Sequence, residues 1–275
     1  MASVQKNIKL PKVDLGVFGG SGFYKFLNNV KEYAVKTPYG EPSAKVAVAE
    51  MKGKTVAFLP RHGKNHEAPP HMINYRANVY ALKMLGAKAI VSPCASGSLQ
   101  AHVKPGDFVV CDQVVDRTNS RKDTFYDGPK IVHISLADPY NEDLRKIAIQ
   151  AIKDNKVPCH EKGTIVVIQG PRFSSKAESK WFTHMGWDVI NMTQYPEVTL
   201  AKEVAIPFVN ISLITDYDAG LVGEGIEPCT AEEIIKTFVS NNEKLVKVLN
   251  RFIELFPKNF TSNAEAELKA AVLHE

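Results

Sequence analysis

The sequence predicts a single α/β domain with a mixed, largely parallel, twisted sheet flanked by helices. Two observations predict it. Short apolar runs with strand character alternate with segments of helical periodicity, and the 275 residues, 44% hydrophobic and 23% charged, suffice for one large domain. We find no internal repeat or low-complexity linker, and assign residues 13–256 to the domain and 257–275 to a C-terminal tail.

The expected strands are short apolar runs, and several of them end at glycine, proline or a polar residue. They cover residues 13–18, 45–51, 55–59, 89–91, 108–115, 163–168, 188–192 and 208–215. Lys52 and Gly53 predict a hairpin between the second and third of these strands. The polar segments that follow the other strands are expected to be loops, including residues 93–98.

The helices are expected where apolar residues recur at helical spacing between the strands. They cover residues 77–85, 141–155, 175–185, 196–205 and about 230–256. Gly86 is placed to cap the first, while Thr230 and Glu233 form a capping box at the start of the last. A further short helix is expected over 263–271. Because this segment is polar and terminal, two alternatives stand: a mobile tail, or a tail that packs on a partner.

Composition limits the classes of partner. The net charge of +4 comes from 34 basic and 30 acidic residues without a dense basic run, which favours a small anionic ligand over a nucleic acid. No apolar run approaches membrane-span length and the N-terminus lacks a signal-peptide core, so we expect a cytoplasmic protein away from membranes. The cysteines at 94, 111, 159 and 229 form no CxxC pair and are expected to be free, mostly buried thiols.

Two carboxylates, Asp216 and Asp218, end the apolar run that begins at Phe208. Small molecules bind at the carboxyl ends of strands in open α/β sheets, and the i, i+2 spacing points both side chains the same way. Two acids held together have separated pKa values, so one could donate a proton while the other accepts a hydrogen bond from an amino-bearing heteroaromatic base. The alternative is that both acids are solvated loop residues.

Several motifs could bind an anion. Gly-Gly-Ser-Gly at 19–22 follows the first strand and could form a nest of backbone N–H groups, although it lacks dinucleotide-binding spacing. Arg61 and His62 follow a strand and together suit a doubly charged phosphate. His62 and His66 have the spacing of a helical metal pair, but Gly63 makes a helix there improbable, so no metal site is expected.

Three further segments leave strands and should reach the same crevice. Cys94 and the small residues after it offer backbone N–H groups, and Phe173 could stack on a flat base or be an ordinary core residue. Met192 and Thr193 carry a soft apolar group and a hydroxyl into a helix N-terminus. The position that these segments share, after strands, predicts one site.

These residues also match a known family: the chain resembles the methylthioadenosine phosphorylases of the trimeric purine nucleoside phosphorylase superfamily. The motifs occur in the family's order from about residue 14 to 255. They are Gly-Gly-Ser-Gly at 19–22, Thr-Pro-Tyr-Gly at 37–40, Pro-Arg-His-Gly at 60–63, Asn-Tyr-Arg-Ala-Asn at 74–78, Phe-Tyr-Asp-Gly at 125–128, Gly-Pro-Arg-Phe-Ser-Ser at 170–175, Asn-Met-Thr at 191–193, Pro-Glu-Val at 196–198 and Thr-Asp-Tyr-Asp at 215–218.

The resemblance implies phosphorolysis of 5′-methylthioadenosine to adenine and 5-methylthioribose 1-phosphate. It further implies a homotrimer or a dimer of trimers, with phosphate as co-substrate and no metal or organic cofactor. It assigns phosphate binding to Ser21, Arg61, His62, Cys94, Ala95 and Thr193. It assigns nucleoside binding to Phe173, Ser174, Asn191, Met192, Asp216 and Asp218, with the two aspartates catalytic and His133 lent by the neighbouring subunit.

Two departures leave alternatives open. Cys94 stands where the eukaryotic enzymes usually have threonine, and the glycine-containing stretch 219–229 is longer than expected beside the 5′ pocket. The runner-up is therefore a broader purine nucleoside phosphorylase acting on adenosine or 6-oxopurine nucleosides. A nucleotide-binding oxidoreductase and a non-catalytic ligand-binding module are less favoured, because the glycine fingerprint is imperfect and paired acids beside an Arg-His pair suit catalysis.

Overall fold

Strand β5 organises the sheet in the computed structural model, which describes residues 10–19, 29–223, 226–227 and 230–274. Eleven of the strands in these residues form one sheet and two form a separate pair. The strands are β1 (Leu15–Gly19), β2 (Lys31–Tyr33), β3 (Val46–Met51), β4 (Lys54–Pro60), β5 (Ile90–Ser98), β6 (Phe108–Val109), β7 (Gln113–Arg117), β8 (Ile131–Val132), β9 (Cys159–His160), β10 (Thr164–Ile168), β11 (Val189–Asn191), β12 (Phe208–Tyr217) and β13 (Val272–His274).

Most strand pairs are parallel. Strands β1 and β4, β1 and β5, β5 and β12, β7 and β10, β10 and β11, and β6 and β9 pair in parallel. The predicted hairpin of β3 and β4 is antiparallel, as are the β2–β3, β5–β11 and β6–β12 pairs. This pattern confirms the predicted mixed, largely parallel sheet.

The helices cover both faces of the sheet and bury an apolar layer on each. They are α1 (Tyr75–Met84), α2 (Glu142–Asp154), α3 (Lys176–His184), α4 (Gln194–Glu203), α5 (Ala231–Leu255) and α6 (Ala264–Ala270). One core cluster contains side chains of α1 and α4, such as Leu82 and Val198, and the other contains side chains of α2 and α5, such as Leu144 and Phe252. Within the described ranges, each helix is too short or too polar to span a bilayer.

Sheet pairing along β5 opens a crevice. β1 pairs with Ile90 and Val91 at the start of β5, and β11 pairs with Gly97 and Ser98 at its end, whereas β12 follows the whole strand. The middle of β5 therefore keeps one neighbour while its other edge faces a gap between β1 and β11. Backbone N–H groups along such an edge are available to a ligand.

The structure corrects two of the strand predictions. Residues 93–98 belong to β5 instead of forming a loop. Residues 108–115 form two strands, because β6 pairs with β12 and β9 whereas β7 pairs with β10. Between them, Nε of Arg145 donates to the carbonyl of Cys111 at 3.1 Å. The short strands β2, β8, β9 and β13 were not predicted.

Most predicted helix ends lie within about two residues of the observed ones, and the caps explain where the helices begin. The Asn74 and Asn141 side chains accept from backbone N–H groups of α1 and α2. Both Ser175 and Thr230 form complete capping boxes, at α3 and α5. The C-terminal segment packs on its own chain, since β13 pairs with β8 and Lys202 of α4 contacts Glu267 of α6 at 3.4 Å.

Lys54 holds the C-terminus of α5 on the sheet. Its buried Nζ donates to the carbonyls of Ile253 at 2.7 Å and Glu254 at 3.0 Å, which otherwise lack helical partners. We expect Lys54→Met to lower the free energy of unfolding by about 1–3 kcal/mol in urea denaturation, because both carbonyls lose their donor. Lys247→Met, on an exposed position of α5, is the matched control. Equal effects of the two substitutions would contradict this role.

Candidate active site

The crevice beside β5 is a cavity of about 460 Å³ at the carboxyl ends of the parallel strands. Eleven of the predicted site residues line it: Arg61, His62, Cys94, Ala95, Phe173, Ser174, Asn191, Met192, Thr193, Asp216 and Asp218. Ser21 lies outside the described residues. The structure thus brings together segments that are up to 157 residues apart in the sequence, from Arg61 to Asp218. The convergence of these eleven residues on one cavity agrees with the sequence analysis, while the binding role of each residue stays a prediction.

The acid pair lies at the end of β12 beside Gly97 of β5. A Cβ added to Gly97 would lie 3.8 Å from both Oδ2 of Asp216 and Cβ of Asp218, so the two side chains approach the same backbone position. Asp218 is only 7% exposed and both acids line the cavity, which makes the solvated-loop alternative wrong. Asp216 belongs to the strand itself, next to an irregularity in its pairing with β5.

Each acid has a hydroxyl partner. The Thr215 hydroxyl donates to Oδ1 of Asp216 at 2.6 Å, and the Ser174 hydroxyl donates to Oδ2 of Asp218 at 2.5 Å. Burial raises the pKa of Asp216, the hydrogen bond from Thr215 partly opposes this, and the charge of Asp218 adds to the rise. A raised pKa suits Asp216 to the role of a general acid, which must carry a proton before it can donate one.

Arg61 forms a buried ion pair with Glu197, a residue of the Pro-Glu-Val motif at 196–198 for which the sequence predicts no role. Arg61 is 2% exposed and Glu197 is fully buried, with Nε–Oε1 and Nη2–Oε2 distances of 2.7 and 3.1 Å. Nη2 also donates to the Ser92 hydroxyl at 2.6 Å, and Nη1 donates to the carbonyl of Pro93 at 2.9 Å. Burial lowers the pKa of Arg61, but the carboxylate of Glu197 outweighs it and the pKa lies above its ordinary value.

These bonds occupy four of the guanidinium's five N–H groups. The fifth, on Nη1, has no hydrogen-bond partner among the described residues, and Arg61 lines the cavity. The guanidinium is thereby fixed in position by its neighbours while it retains one donor for a ligand.

His62 is held as a neutral imidazole. Its Nδ1 lies 2.9 Å from the carbonyl of Ala68, which can only accept, so Nδ1 carries the proton. Its ring stacks on that of His66 with centroids 4.2 Å apart. Burial lowers the pKa of His62 to about 4. The hydrogen bond to the Ala68 carbonyl opposes this shift, and the positive charges of Arg61 and His66 add smaller lowering effects. An anion in the cavity would favour a second proton on this ring.

Cys94 is a buried free thiol that two amides contact. The side-chain nitrogens of Asn191 and Asn210 lie 3.1 and 3.2 Å from Sγ of Cys94. Oδ1 of Asn191 lies 3.4 Å from the backbone nitrogen of Thr193, near the start of α4. Cys94 therefore helps to place the Asn191–Thr193 turn. Cys111 is likewise buried and free, Cys159 is half-buried and free, and Cys229 lies outside the described residues.

Phe173 and Met192 form the apolar part of the cavity wall. Phe173 is 79% exposed and lines the cavity, so the alternative that it is a core residue is wrong. Met192 packs on the backbone of Gly170, since a Cβ added to Gly170 would lie 2.7 Å from Sδ of Met192. Gly170 also has a φ of +64°, a left-handed conformation that favours glycine.

Helix α5 supplies a wall that the sequence argument missed. Ile235, Phe238, Asn242 and Leu245 line the cavity, although the helix begins more than ten residues after Asp218. Their spacing of three, four and three residues places them on one face of the helix, which is the only sequence signal that could have identified them. Ile235 is 63% exposed, as expected at the mouth of a cavity.

His133 is not brought into this cavity. It follows β8, is exposed, and donates its backbone N–H to the carbonyl of Ala271 at 2.9 Å. Within the described part of one chain, its side chain is not part of the wall formed by the other predicted residues. A role for His133 at a site therefore needs a second copy of the chain.

Known proteins resemble the chain over nearly its whole length. A family model described as the phosphorylase superfamily matches residues 14–254. The S-methyl-5′-thioadenosine phosphorylase of Thermofilum pendens is 45% identical over 266 residues, covering 96% of this chain and 100% of that protein. A purine nucleoside phosphorylase of Streptomyces coelicolor is 45% identical over 255 residues, covering 90% of each chain.

A solved structure agrees with this relationship. The methylthioadenosine phosphorylase of Schistosoma mansoni, in complex with adenine, superposes with a TM-score of 0.88 at 33% identity, covering 95% of this chain and 99% of that one. The family resemblance of the sequence motifs is confirmed, and with it the nucleoside phosphorylase fold. The chain belongs to the phosphorylase superfamily.

Proposed function

We propose that this protein catalyses phosphorolysis of S-methyl-5′-thioadenosine to adenine and 5-methylthioribose 1-phosphate. The proposal rests on one observation: a single cavity holds two sets of polar residues. The first set is the acid pair, and the second is Arg61, His62 and Thr193. The first suits an aminopurine and the second a phosphate. The names of the Thermofilum pendens and Schistosoma mansoni relatives support the choice of substrate.

In this reaction a phosphate oxygen forms a bond to the anomeric carbon as the bond from that carbon to N9 breaks. The electron pair moves into the purine, and Asp216 donates its proton to N7, so adenine leaves uncharged. The proton of the incoming phosphate is released on ester formation and restores the acid. Catalysis rests on holding phosphate beneath a ribosyl cation while the leaving group is protonated.

Phosphate binding is proposed for six residues. The remaining N–H of Arg61, the backbone N–H of Ala95 on the open edge of β5 and the hydroxyl of Thr193 donate to phosphate oxygens. His62 and Cys94 border the anion, and Ser21 contributes from the segment after β1. Because Glu197 balances the charge of Arg61, the site offers directed donors with little net charge.

Nucleoside binding is proposed for the remaining residues. Phe173 stacks on the purine, Met192 lies against the ribose, and Asn191 supports the turn that carries Met192. Asp218 accepts from the amino group at C6, with Ser174 fixing its carboxylate. Two acids favour an aminopurine because a 6-carbonyl facing a carboxylate lacks a donor.

The complete enzyme is proposed to be a cytoplasmic homotrimer or dimer of trimers, in which His133 of a neighbouring copy reaches the 5′ end of the nucleoside. The exposure of His133 and its position away from the cavity of its own chain support this arrangement. The reaction is proposed to need no metal or organic cofactor, since phosphate serves as the nucleophile and Asp216 as the acid.

The second candidate is a broader purine nucleoside phosphorylase that accepts adenosine or 6-oxopurine nucleosides. The name of the Streptomyces coelicolor relative and the long 219–229 stretch favour it. The decisive experiment measures phosphate-dependent base release from methylthioadenosine, adenosine and inosine. We expect kcat/KM to be highest for methylthioadenosine and release to stop without phosphate. A higher kcat/KM for inosine than for methylthioadenosine would establish the second candidate.

Asp216 should set both rate and base choice. Asp216→Asn keeps the shape of the side chain but removes the transferable proton, so kcat/KM for methylthioadenosine should fall by about 10²–10⁴. The amide can donate to a 6-carbonyl, so activity on inosine should fall less or rise. Asp143→Asn, at an exposed position of α2, is the control. An unchanged ratio of the two kcat/KM values in the mutant would mean that Asp216 does not recognise the base.

Stability should depend on pH through His62, and phosphate should weaken that dependence. The pKa of His62 is lowered from 6.5 to about 4, so the unfolded chain binds more protons between these values. The contribution of His62 to the free energy of unfolding is complete above pH 6.5 and is lost as the pH falls toward 4. The loss is about 1–2 kcal/mol after allowance for solvent screening. Bound phosphate favours protonated His62 and should reduce this loss.

The measurement is thermal unfolding from pH 7.5 to 4.5, with saturating phosphate or with chloride at equal ionic strength. His62→Gln should flatten the pH dependence in chloride, whereas His71→Gln, at an exposed position, should leave it unchanged. The assignment of His62 to the phosphate site fails if phosphate changes the pH dependence of the wild type and of His62→Gln equally.

A further inference from the structure

The ends of two cavity strands are tied together from outside the cavity by Arg121, in the connection that follows β7. We propose that Arg121 is a positioning residue for nucleoside binding: it fixes the carboxyl ends of β10 and β11 and so the side chains that receive the nucleoside. The proposal rests on the proposed function for the identity of the ligand, and on hydrogen bonds of the described residues for the mechanism.

Pairing between β10 and β11 ends at Asn191, one residue before Met192 of the cavity wall. The ladder runs from Ile165 with Val189 to Val167 with Asn191. Beyond it, Nη2 of Arg121 donates to the carbonyls of Gln169 and Met192, both at 2.9 Å. One guanidinium nitrogen therefore joins the two strand ends where the backbone ladder no longer does.

The remaining nitrogens fix the guanidinium in that place. Nε donates to Oε1 of Gln169 at 3.1 Å, and Nη1 donates to the carbonyl of Tyr195 and to the hydroxyl oxygen of Tyr75 at 3.3 Å. The guanidinium carbon also lies 5.2 Å from the centroid of the Tyr75 ring. The Tyr75 hydroxyl in turn donates to the carbonyl of Pro70 at 2.8 Å, so it is itself held.

These acceptors distinguish Arg121 from a ligand-binding arginine. Each of its three nitrogens donates to the protein, mainly to carbonyl oxygens, and Arg121 is not among the residues that line the cavity. A lysine could not replace it, because an ammonium is a compact point charge whereas the planar guanidinium presents donors in several fixed directions. The residue thus acts on the nucleoside through the segments that it holds.

The segments that Arg121 holds carry the apolar wall of the cavity. Met192 packs on the backbone of Gly170, with an added Cβ only 2.7 Å from its Sδ, so a small separation of the strand ends would displace the methionine. Gln169 precedes Gly170 directly, and the chain then continues to Phe173 at the mouth. Arg121 also holds the carbonyls on either side of Thr193, but the other phosphate donors lie elsewhere: Arg61 is held by Glu197, and Ala95 belongs to β5. The phosphate side therefore depends less on Arg121.

The test is steady-state kinetics of Arg121→Lys with methylthioadenosine and phosphate varied separately. We expect the KM for methylthioadenosine to rise about tenfold, with kcat changed less than about threefold and the KM for phosphate less than about twofold. Arg117→Lys is the matched control, because that guanidinium lies on β7 and packs over the ring of Trp181 at 4.9 Å. Tyr75→Phe, which removes one acceptor, should shift the nucleoside KM in the same direction by less.

A loss of kcat with an unchanged nucleoside KM, or an equal rise in both KM values, would overturn the proposal. If Arg121→Lys does not fold, Tyr75→Phe and Gln169→Leu decide the question. Both should raise the KM for methylthioadenosine more than the KM for phosphate. A wild type without phosphorolysis would contradict the proposed function instead. Adenine titration by calorimetry tests Arg121 apart from turnover: its affinity should weaken in Arg121→Lys and not in Arg117→Lys, and equal affinities would refute the role.

Discussion

The buried ion pair of Arg61 and Glu197 is the interaction on which the arrangement of the site depends. It joins the end of β4 to α4 across β5, and the Ser92 hydroxyl donates to Glu197 at 2.7 Å from within β5. Removing one partner of a buried pair costs about 3–5 kcal/mol, so these elements are strongly held in one arrangement. Because α4 begins at the cavity with Thr193 before it, the pair also determines where the phosphate donors stand.

The crevice exists because β5 exchanges neighbours along its length. β1 accompanies its start and β11 its end, so an open backbone edge remains between them, next to Cys94 and Ala95. The paired β12 brings the two acids to the same place from the other side. Arg121 complements this geometry at the ends of β10 and β11. A continuous sheet would have satisfied those N–H groups internally and left no room for a ligand.

The sequence allowed prediction of the fold class and of most side chains in the cavity, because acids and an Arg-His pair at strand ends have few structural roles. It did not reveal the role of Glu197, since a glutamate in a helix ordinarily faces solvent and its partner Arg61 lies 136 residues away. It also did not reveal the length of β5. Pro93 and the small residues after it suggest a loop, yet proline is tolerated where the strand edge faces the crevice. The wall from α5 has only the helical spacing of its residues as a signal, and the bonds of Arg121 are tertiary contacts without a local pattern.

The central claim is that one cavity exchanges a glycosidic bond to a purine for a bond to phosphate. The most direct test is phosphorolysis of methylthioadenosine with ¹⁸O-labelled phosphate in unlabelled water, followed by mass analysis of the sugar product. The account predicts 5-methylthioribose 1-phosphate in which all the phosphate oxygens, including the bridging one, carry the label, formed in equal amount to adenine. Free methylthioribose carrying oxygen from water, with the labelled phosphate unchanged, would contradict it and identify a hydrolase.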